Sequence, residues 1–244
     1  MQKLGQHFLT NKTIVADMVR AGNISKKDIV LEVGPGKGVL TEVLAQKAKK
    51  VVAIEKDNIL VDYLKEKFKD NKNIKIIYGD ILKISSSPLP ISHFKIVANI
   101  PYYITSRFLR LFLSKIELRP SLMILMIQRE VAERILTRDG KESLLSLSVK
   151  VYGKPEIIKI VRKGNFFPQP KVDSAIIKIN NVSNKRFIKH KISDKKFFDI
   201  LRKAFQQKRK MLRRSLGKNI PEKYQNKRPE ELSLKDWFSI CLFQ

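Results

Sequence analysis

DIVLEVGPGKGVLTEVL (residues 28–44) decides how the rest of the chain is read. Its first six residues are mostly apolar and β-branched, the pattern of a strand buried on both faces. Gly34, Gly36 and Gly38 follow at alternate positions, and VLTEVL then carries apolar residues at helical spacing. A strand that turns through glycines into a helix leaves room for a ligand against bare backbone, beside the free N–H groups of the helix start. The spacing is G-x-G-x-G, not the G-x-G-x-x-G of dinucleotide enzymes. No G-x-x-x-x-G-K-[ST] occurs, which removes P-loop nucleotide hydrolysis from consideration.

Working outward, KVVAIE (50–55), IKIIYGD (74–80), KIVAN (95–99) and LMILMIQ (122–128) repeat the strand signature. GVLTEVLAQKAKK, NILVDYLKEKFKD and TSRFLRLFLSKI lie between them with helical periodicity. This rhythm predicts an α/β, Rossmann-like fold: a mostly parallel sheet covered by helices on both faces. PEIIKIV (155–161) and SAIIKI (174–179) are separated only by RKGNFFPQPKVD, so they are expected as an antiparallel pair completing seven strands.

Composition shifts near Asn180. Between positions 185 and 228 seventeen Lys and Arg face only Asp194, Asp199 and Glu222, and FFDILRKAF and KRKMLRRSL keep helical periodicity. Residues 1–180 are therefore expected to form the ligand-binding domain, and 181–244 a small, basic, helical one.

The whole chain has 50 basic residues against 23 acidic ones in 244, a formal net charge of +27. That excess goes far beyond what solubility asks for; a polyanion would neutralise it, and nucleic acid is the default partner, with an anionic membrane surface the rival. LMILMI (122–127) is the longest apolar run and is too short to span a bilayer. MQKLGQHFLT lacks the apolar core of a signal peptide. The single Cys241 permits no internal disulfide and is expected to pack with Ile240 and Leu242, while the scattered His7, His93 and His190 argue against a metal site. The expected protein is soluble, cytoplasmic and monomeric.

Ligands of open α/β sheets bind at the carboxyl ends of the strands. There the sequence places Gly34 and Gly36, then Glu55 to accept hydrogen bonds from ribose hydroxyls, then Asp80 to accept one from an adenine amine. These groups describe a site for an adenosine-containing cofactor. The fourth strand separates a dehydrogenase from a methyltransferase, because it ends in Asn99-Ile100-Pro101-Tyr102, for which hydride transfer has no use. Methyl transfer from S-adenosylmethionine to adenine N6 does have a use for it. The N6 lone pair is delocalised into the ring; acceptors at the Asn99 side chain and the Ile100 carbonyl would bind both N6 hydrogens and aim the lone pair at the methyl. Catalysis is then positioning and electrostatics, with no general base needed before attack. Pro101 stiffens the turn, Tyr102 offers a face to an unstacked adenine, and Phe166 is a candidate second wall. Tyr103 and Phe167 read as core aromatics.

Taken together, LGQHFL, LEVGPGKGVLTEVL, VVAIEKD, GDIL, VANIPYYI, QREVAERI and FFPQPKVDSAIIKI resemble, in order and spacing, the KsgA/Erm rRNA adenine N6,N6-dimethyltransferases. The resemblance runs from about residue 3 to 179; AFQQKRKMLRRSL and KRPEELSLKDW extend it more thinly. It implies the class I S-adenosylmethionine-dependent methyltransferase fold with a small helical domain. It also implies a cofactor site with His7, Leu9, Gly34, Glu55, Asp80 and Asn99, and target-adenine contacts at Asn99, Tyr102 and Phe166. Lys208, Arg209, Lys210, Arg213 and Arg214 are the expected phosphate contacts.

GPG, QREVAERI and KRPEELSL resemble the KsgA branch, which dimethylates two adjacent adenosines near the 3′ end of small-subunit (16S) rRNA during ribosome assembly. The alternative is the Erm branch, which acts on large-subunit (23S) rRNA and confers macrolide resistance; the short C-terminal domain resembles it. Tyr103 departs from the Asn common there in both. A non-catalytic assembly factor would have no need of an intact Asn99-to-Tyr102 segment. DNA adenine methyltransferases often carry Pro where Ile100 stands.

Overall fold

The computed structural model describes residues 7–83, 91, 93–116, 118–137 and 141–244, so LGQHFL is described from His7 onward. The chain forms two compact units, one from Met1–Ala132 with Pro155–Val182, the other from Glu133–Lys154 with Ser183–Gln244.

The first unit begins with β1 (Phe8–Leu9) and α1 (Lys12–Ala21). The Asn11 side chain accepts the Thr13 N–H and starts α1, which buries Ile14, Val15, Met18 and Val19. There follow β2 (Ile29–Val33), α2 (Val39–Lys47), β3 (Lys50–Glu55), α3 (Asn58–Lys67), β4 (Ile74–Tyr78) and β5 (Lys95–Asn99). After β5 the chain makes one tight turn over Tyr102–Ile104, then α4 (Thr105–Arg110), then a wider helical turn over Leu111–Lys115. β6 (Leu122–Gln128) leads into α5 (Arg129–Ile135). With α6 (Leu144–Lys150), β7 (Lys154–Val161), β8 (Phe166–Phe167) and β9 (Ser174–Asn180), the strands are complete.

Seven strands share one sheet in the order β4-β3-β2-β5-β6-β9-β7. The β4–β3, β3–β2, β2–β5 and β5–β6 pairs are parallel, and β9 runs antiparallel to β6 with Leu122 opposite Asn180. Strand order reverses between β2 and β5, so their carboxyl ends open the crevice where such sheets take ligands. A separate antiparallel pair joins β1 to β8, with Phe8 opposite Phe167 and Leu9 opposite Phe166. The core clusters Val15, Met18, Leu44, Val51, Val97, Ile124 and Ile176, all fully buried.

The second unit adds α7 (Lys185–His190), α8 (Asp194–Gln206), α9 (Leu212–Ser215), α10 (Glu222–Gln225) and α11 (Leu234–Phe243). Its extent differs from a single cut at residue 180, because residues 133–154 belong with it. The reason is aromatic packing: the buried Tyr152 ring lies 5.3 Å from Phe187 and 6.1 Å from Phe198. KRKMLRRSL is not one helix either. α8 stops at Gln206, residues 207–211 turn, and only Leu212–Ser215 is helical. Three adjacent cations have no carboxylate nearby in sequence to offset their repulsion, and the Leu212 N–H bonds the Lys227 carbonyl instead. Cys241 is fully buried, and burial pushes its thiol up to about 12, which makes it inert. Among the described residues no helix is long and apolar enough to cross a membrane, and no His/Cys/Asp/Glu group would hold a metal.

Candidate active site

The turn between β2 and α2 is built on backbone that side chains resist. Gly34, Gly36 and Gly38 all have left-handed φ, of 68°, 57° and 78°. At Gly36 space is the second constraint: a Cβ there would meet the Phe8 ring at 2.8 Å. β1 is thereby laid directly over the glycine turn, and the Lys37 ammonium sits 5.7 Å from the Phe8 ring centre.

Below this roof lies a cavity of about 340 Å³, walled by His7, Leu9, Gly34, Gly36, Glu32, Glu55 and the Asn99-to-Tyr102 segment. Phe166 and Phe167 close another side. Glu55 ends β3 and is held rigidly, its carboxylate accepting N–H groups from Gly36 (3.2 Å), Lys56 (2.8 Å) and Asp57 (3.0 Å). Glu32, on β2, is 1% exposed, and one of its carboxylate oxygens has no hydrogen-bond partner among the described residues. Burial pushes its carboxyl up to about 8, and the nearby Glu55 charge adds to the rise. The sequence reading missed this residue; a lone acid inside the apolar run IVLEV was the available signal.

Two buried acids in one cavity choose between cofactors. The pyrophosphate of a dinucleotide would meet the Glu55 carboxylate there, while Glu32, its carboxyl pushed up to about 8, keeps its proton at neutral pH until a cation draws it off. S-adenosylmethionine carries a sulfonium and an ammonium, and its hydroxyls and cations suit acceptors such as Glu55 and the unpartnered Glu32 oxygen. The site fits that cofactor.

Asp80 is the exception among the cofactor candidates, since it does not line the cavity. Its carboxylate pairs with the Lys56 ammonium at 2.9 Å and accepts the Leu82 N–H at 3.0 Å. Burial is the largest single influence and works to raise its carboxyl, but the Lys56 ion pair and the Leu82 bond together outweigh it and hold the carboxyl below the usual carboxylate range.

Asn99 ends β5 opposite Met126, and the Ile100 N–H bonds the Met126 carbonyl at 3.1 Å, which keeps the next residue in register. The Asn99 amide donates from Nδ2 to the His7 carbonyl at 3.2 Å. That bond uses one N–H of the amide, fixing which way the side chain is turned, and leaves Oδ1 as an acceptor on the cavity wall. His7 is itself fastened, its Nδ1 lying 2.7 Å from the Pro168 carbonyl. Pro101 has φ of −55° and ψ of 129°, and its carbonyl accepts the Ile104 N–H at 3.1 Å. Tyr102 is half-buried beside the His7 ring, with centres 5.8 Å apart.

Of the three remaining aromatics, Phe166 lies where expected and the other two do not. Phe166 is 4% exposed yet lines the cavity, whereas Phe167 is 71% and Tyr103 62% exposed. Neither Tyr103 nor Phe167 belongs to the core. Phe166 and Phe167 are successive residues of one strand and face opposite ways.

In the second unit Lys208, Arg209, Lys210, Arg213 and Arg214 are all exposed, around the buried Leu212. None of the five is in an ion pair among the described residues.

Sheet order, glycine turn and acid-lined cavity define a class I, S-adenosylmethionine-dependent methyltransferase. Comparison with known proteins takes the assignment further. A model of the family described as ribosomal RNA adenine dimethylase matches residues 1–236. A Dehalococcoides mccartyi protein named ribosomal RNA small subunit methyltransferase A is 40% identical over 98% of this chain and 86% of its own length. A Clostridium botulinum protein of the same name is 40% identical over 88% of this chain and 78% of its own. Among solved structures, a dimethyladenosine transferase from Plasmodium falciparum superposes with a TM-score of 0.81 at 28% identity, covering 96% of both chains. The 23S rRNA methyltransferase ErmE shares the fold, with a TM-score of 0.77 at 24% identity over 97% of this chain and 98% of its own. The chain belongs to the ribosomal RNA adenine dimethylase family, and is an enzyme that uses S-adenosylmethionine to dimethylate adenine in ribosomal RNA.

Proposed function

We propose that the chain dimethylates the N6 amines of two adjacent adenosines in the 3′-terminal hairpin loop of small-subunit rRNA. Its substrate is a pre-ribosomal particle in the cytoplasm, and it acts as a monomer. The names of the relatives 40% identical to it support the small subunit as target. The observation that carries the chemistry is the bond from Asn99 Nδ2 to the His7 carbonyl, which leaves Asn99 Oδ1 to accept from N6.

When bound, S-adenosylmethionine supplies an electrophilic methyl on its sulfonium. Glu55 would hold its ribose hydroxyls and Glu32 its ammonium, and Gly34 and Gly36 would let it approach the backbone closely. Asp80 reaches the adenine of the cofactor only if Lys56 shares it. Asn99 Oδ1 and the Ile100 carbonyl take the two N6 hydrogens of the target, whose base lies between Tyr102 and Phe166. The exposed cations at positions 208–214 hold phosphates of the RNA.

The test offers the enzyme and cofactor unmethylated small subunits and naked large-subunit rRNA side by side, then maps dimethyladenosine. Two adjacent dimethyladenosines in the small-subunit RNA alone are expected. Modification confined to large-subunit RNA would reassign the target, and a monomethyl product would overturn the double transfer.

A further inference from the structure

Ser174 opens β9, lies opposite Gln128 at the end of β6, and is fully buried. Its hydroxyl is 2.8 Å from the phenolic oxygen of Tyr102. The backbone just before it is tied down. The Asp173 carboxylate takes the Arg162 guanidinium at 3.0 Å and the Lys163 N–H at 2.9 Å, while the Asp173 carbonyl accepts the Arg129 N–H at 3.0 Å. Ser174 is therefore a fixed point, set by the sheet on one side and by this anchored turn on the other.

Tyr102 follows Pro101, and its backbone position is set by the tight turn. What the turn leaves free is rotation of the ring about its side-chain bonds. The His7 ring constrains one face, and the bond to Ser174 constrains the far tip. Burial keeps the phenol above the ordinary tyrosine range, so its proton stays available to this bond.

We infer that Ser174 is a positioning residue for methyl transfer, fixing the plane of the Tyr102 ring through the bond between the two hydroxyls. This rests on the reading of Tyr102 as the surface beneath the target adenine. A base lying on a ring that tilts carries its N6 off the line of attack, so the loss falls on turnover and leaves cofactor binding intact.

The experiment measures kcat, KM for S-adenosylmethionine and melting temperature on unmethylated small subunits. It compares Ser174→Ala, Ser174→Thr, Tyr102→Phe and the Ser174→Ala/Tyr102→Phe double variant. Each single variant that removes a hydroxyl should lower kcat roughly tenfold, the loss of about one neutral hydrogen bond, with KM for the cofactor unchanged. The double variant should fall no further than either single one, and Ser174→Thr should restore turnover. Wild-type kcat in Ser174→Ala overturns the inference. So do losses that multiply in the double variant, or a loss confined to the cofactor KM. If Ser174→Ala does not fold, Tyr102→Phe decides by itself: a tenfold lower kcat supports the inference and wild-type kcat overturns it. An Asn99→Ala enzyme that keeps its turnover would instead remove the catalytic reading on which the inference stands, whatever Ser174 does.

Discussion

The cavity at the glycine turn and the turn carrying Lys208 to Arg214 belong to one chain of net charge +27, yet they rest on opposite physics. The cavity is the acidic exception: Glu32 and Glu55 are 1% and 6% exposed, and Glu55, Asn99 and Tyr102 each have a named hydrogen-bond partner. The basic turn is exposed and makes no ion pair among the described residues. On the proposed reading, the first region would work through geometry and be insensitive to salt, and the second through charge, tolerating loose geometry.

That contrast breaks most sharply at Asn99. Asn99→Ala should lower turnover by about 10²–10³-fold, the usual cost of one preorganised transition-state contact, with RNA affinity unchanged. Parallel single-turnover and binding assays separate the two, and a matched fall in affinity would erase the distinction between regions.

Next in size is the pH response of Glu32. Its carboxyl stands at about 8 in the folded chain against an ordinary 4.5. The unfolded chain loses that proton first, so this contribution to stability is full below pH 4.5, shrinks as pH rises, and is gone above about 8. Glu32→Gln should flatten that decline, worth roughly 2–4 kcal/mol, in denaturant unfolding of the ligand-free protein between pH 5 and 9. Cofactor binding at pH 7 should also release a proton, seen as calorimetric heats that depend on the buffer.

Neutralising Lys208, Arg209, Lys210, Arg213 and Arg214 together should reduce the slope of log affinity against log salt by about 3–4 for single-stranded RNA. Methyl transfer at saturating RNA should stay as fast as before. An unchanged slope would take this turn off the RNA surface.

The smallest effect belongs to the exposed rings. Phe167→Ala and Tyr103→Ala should each change unfolding free energy by no more than about 0.5 kcal/mol, since neither ring is packed.

Lys50–Glu55, Lys95–Asn99 and Leu122–Gln128 fall where the sequence predicts them, because continuous β-branched runs bounded by polar residues leave little choice. The cluster of Gly34, Gly36, Glu55 and Asn99 was legible for a related reason: strand ends converge on one edge of a parallel sheet. Pattern does not carry what depends on the third dimension. Asp80 sits at the expected strand end, but Lys56 captures it. Phe166 and Phe167 are identical in the sequence, and only pairing with β1 tells which is buried. Glu32 and Ser174 matter through burial, which no local motif announces.

The acceptor that orients Asn99 is a main-chain carbonyl, that of His7. Replacing the imidazole leaves this carbonyl chemically in place, so an alanine scan can pass over the contact that position 7 supplies to Asn99. Exchanging the peptide link between His7 and Phe8 for an ester by chemical ligation would weaken that oxygen as an acceptor without altering any side chain. Because the exchange also removes the Phe8 N–H, which lies in the pairing of β1 with β8, it reports on this one peptide unit as a whole.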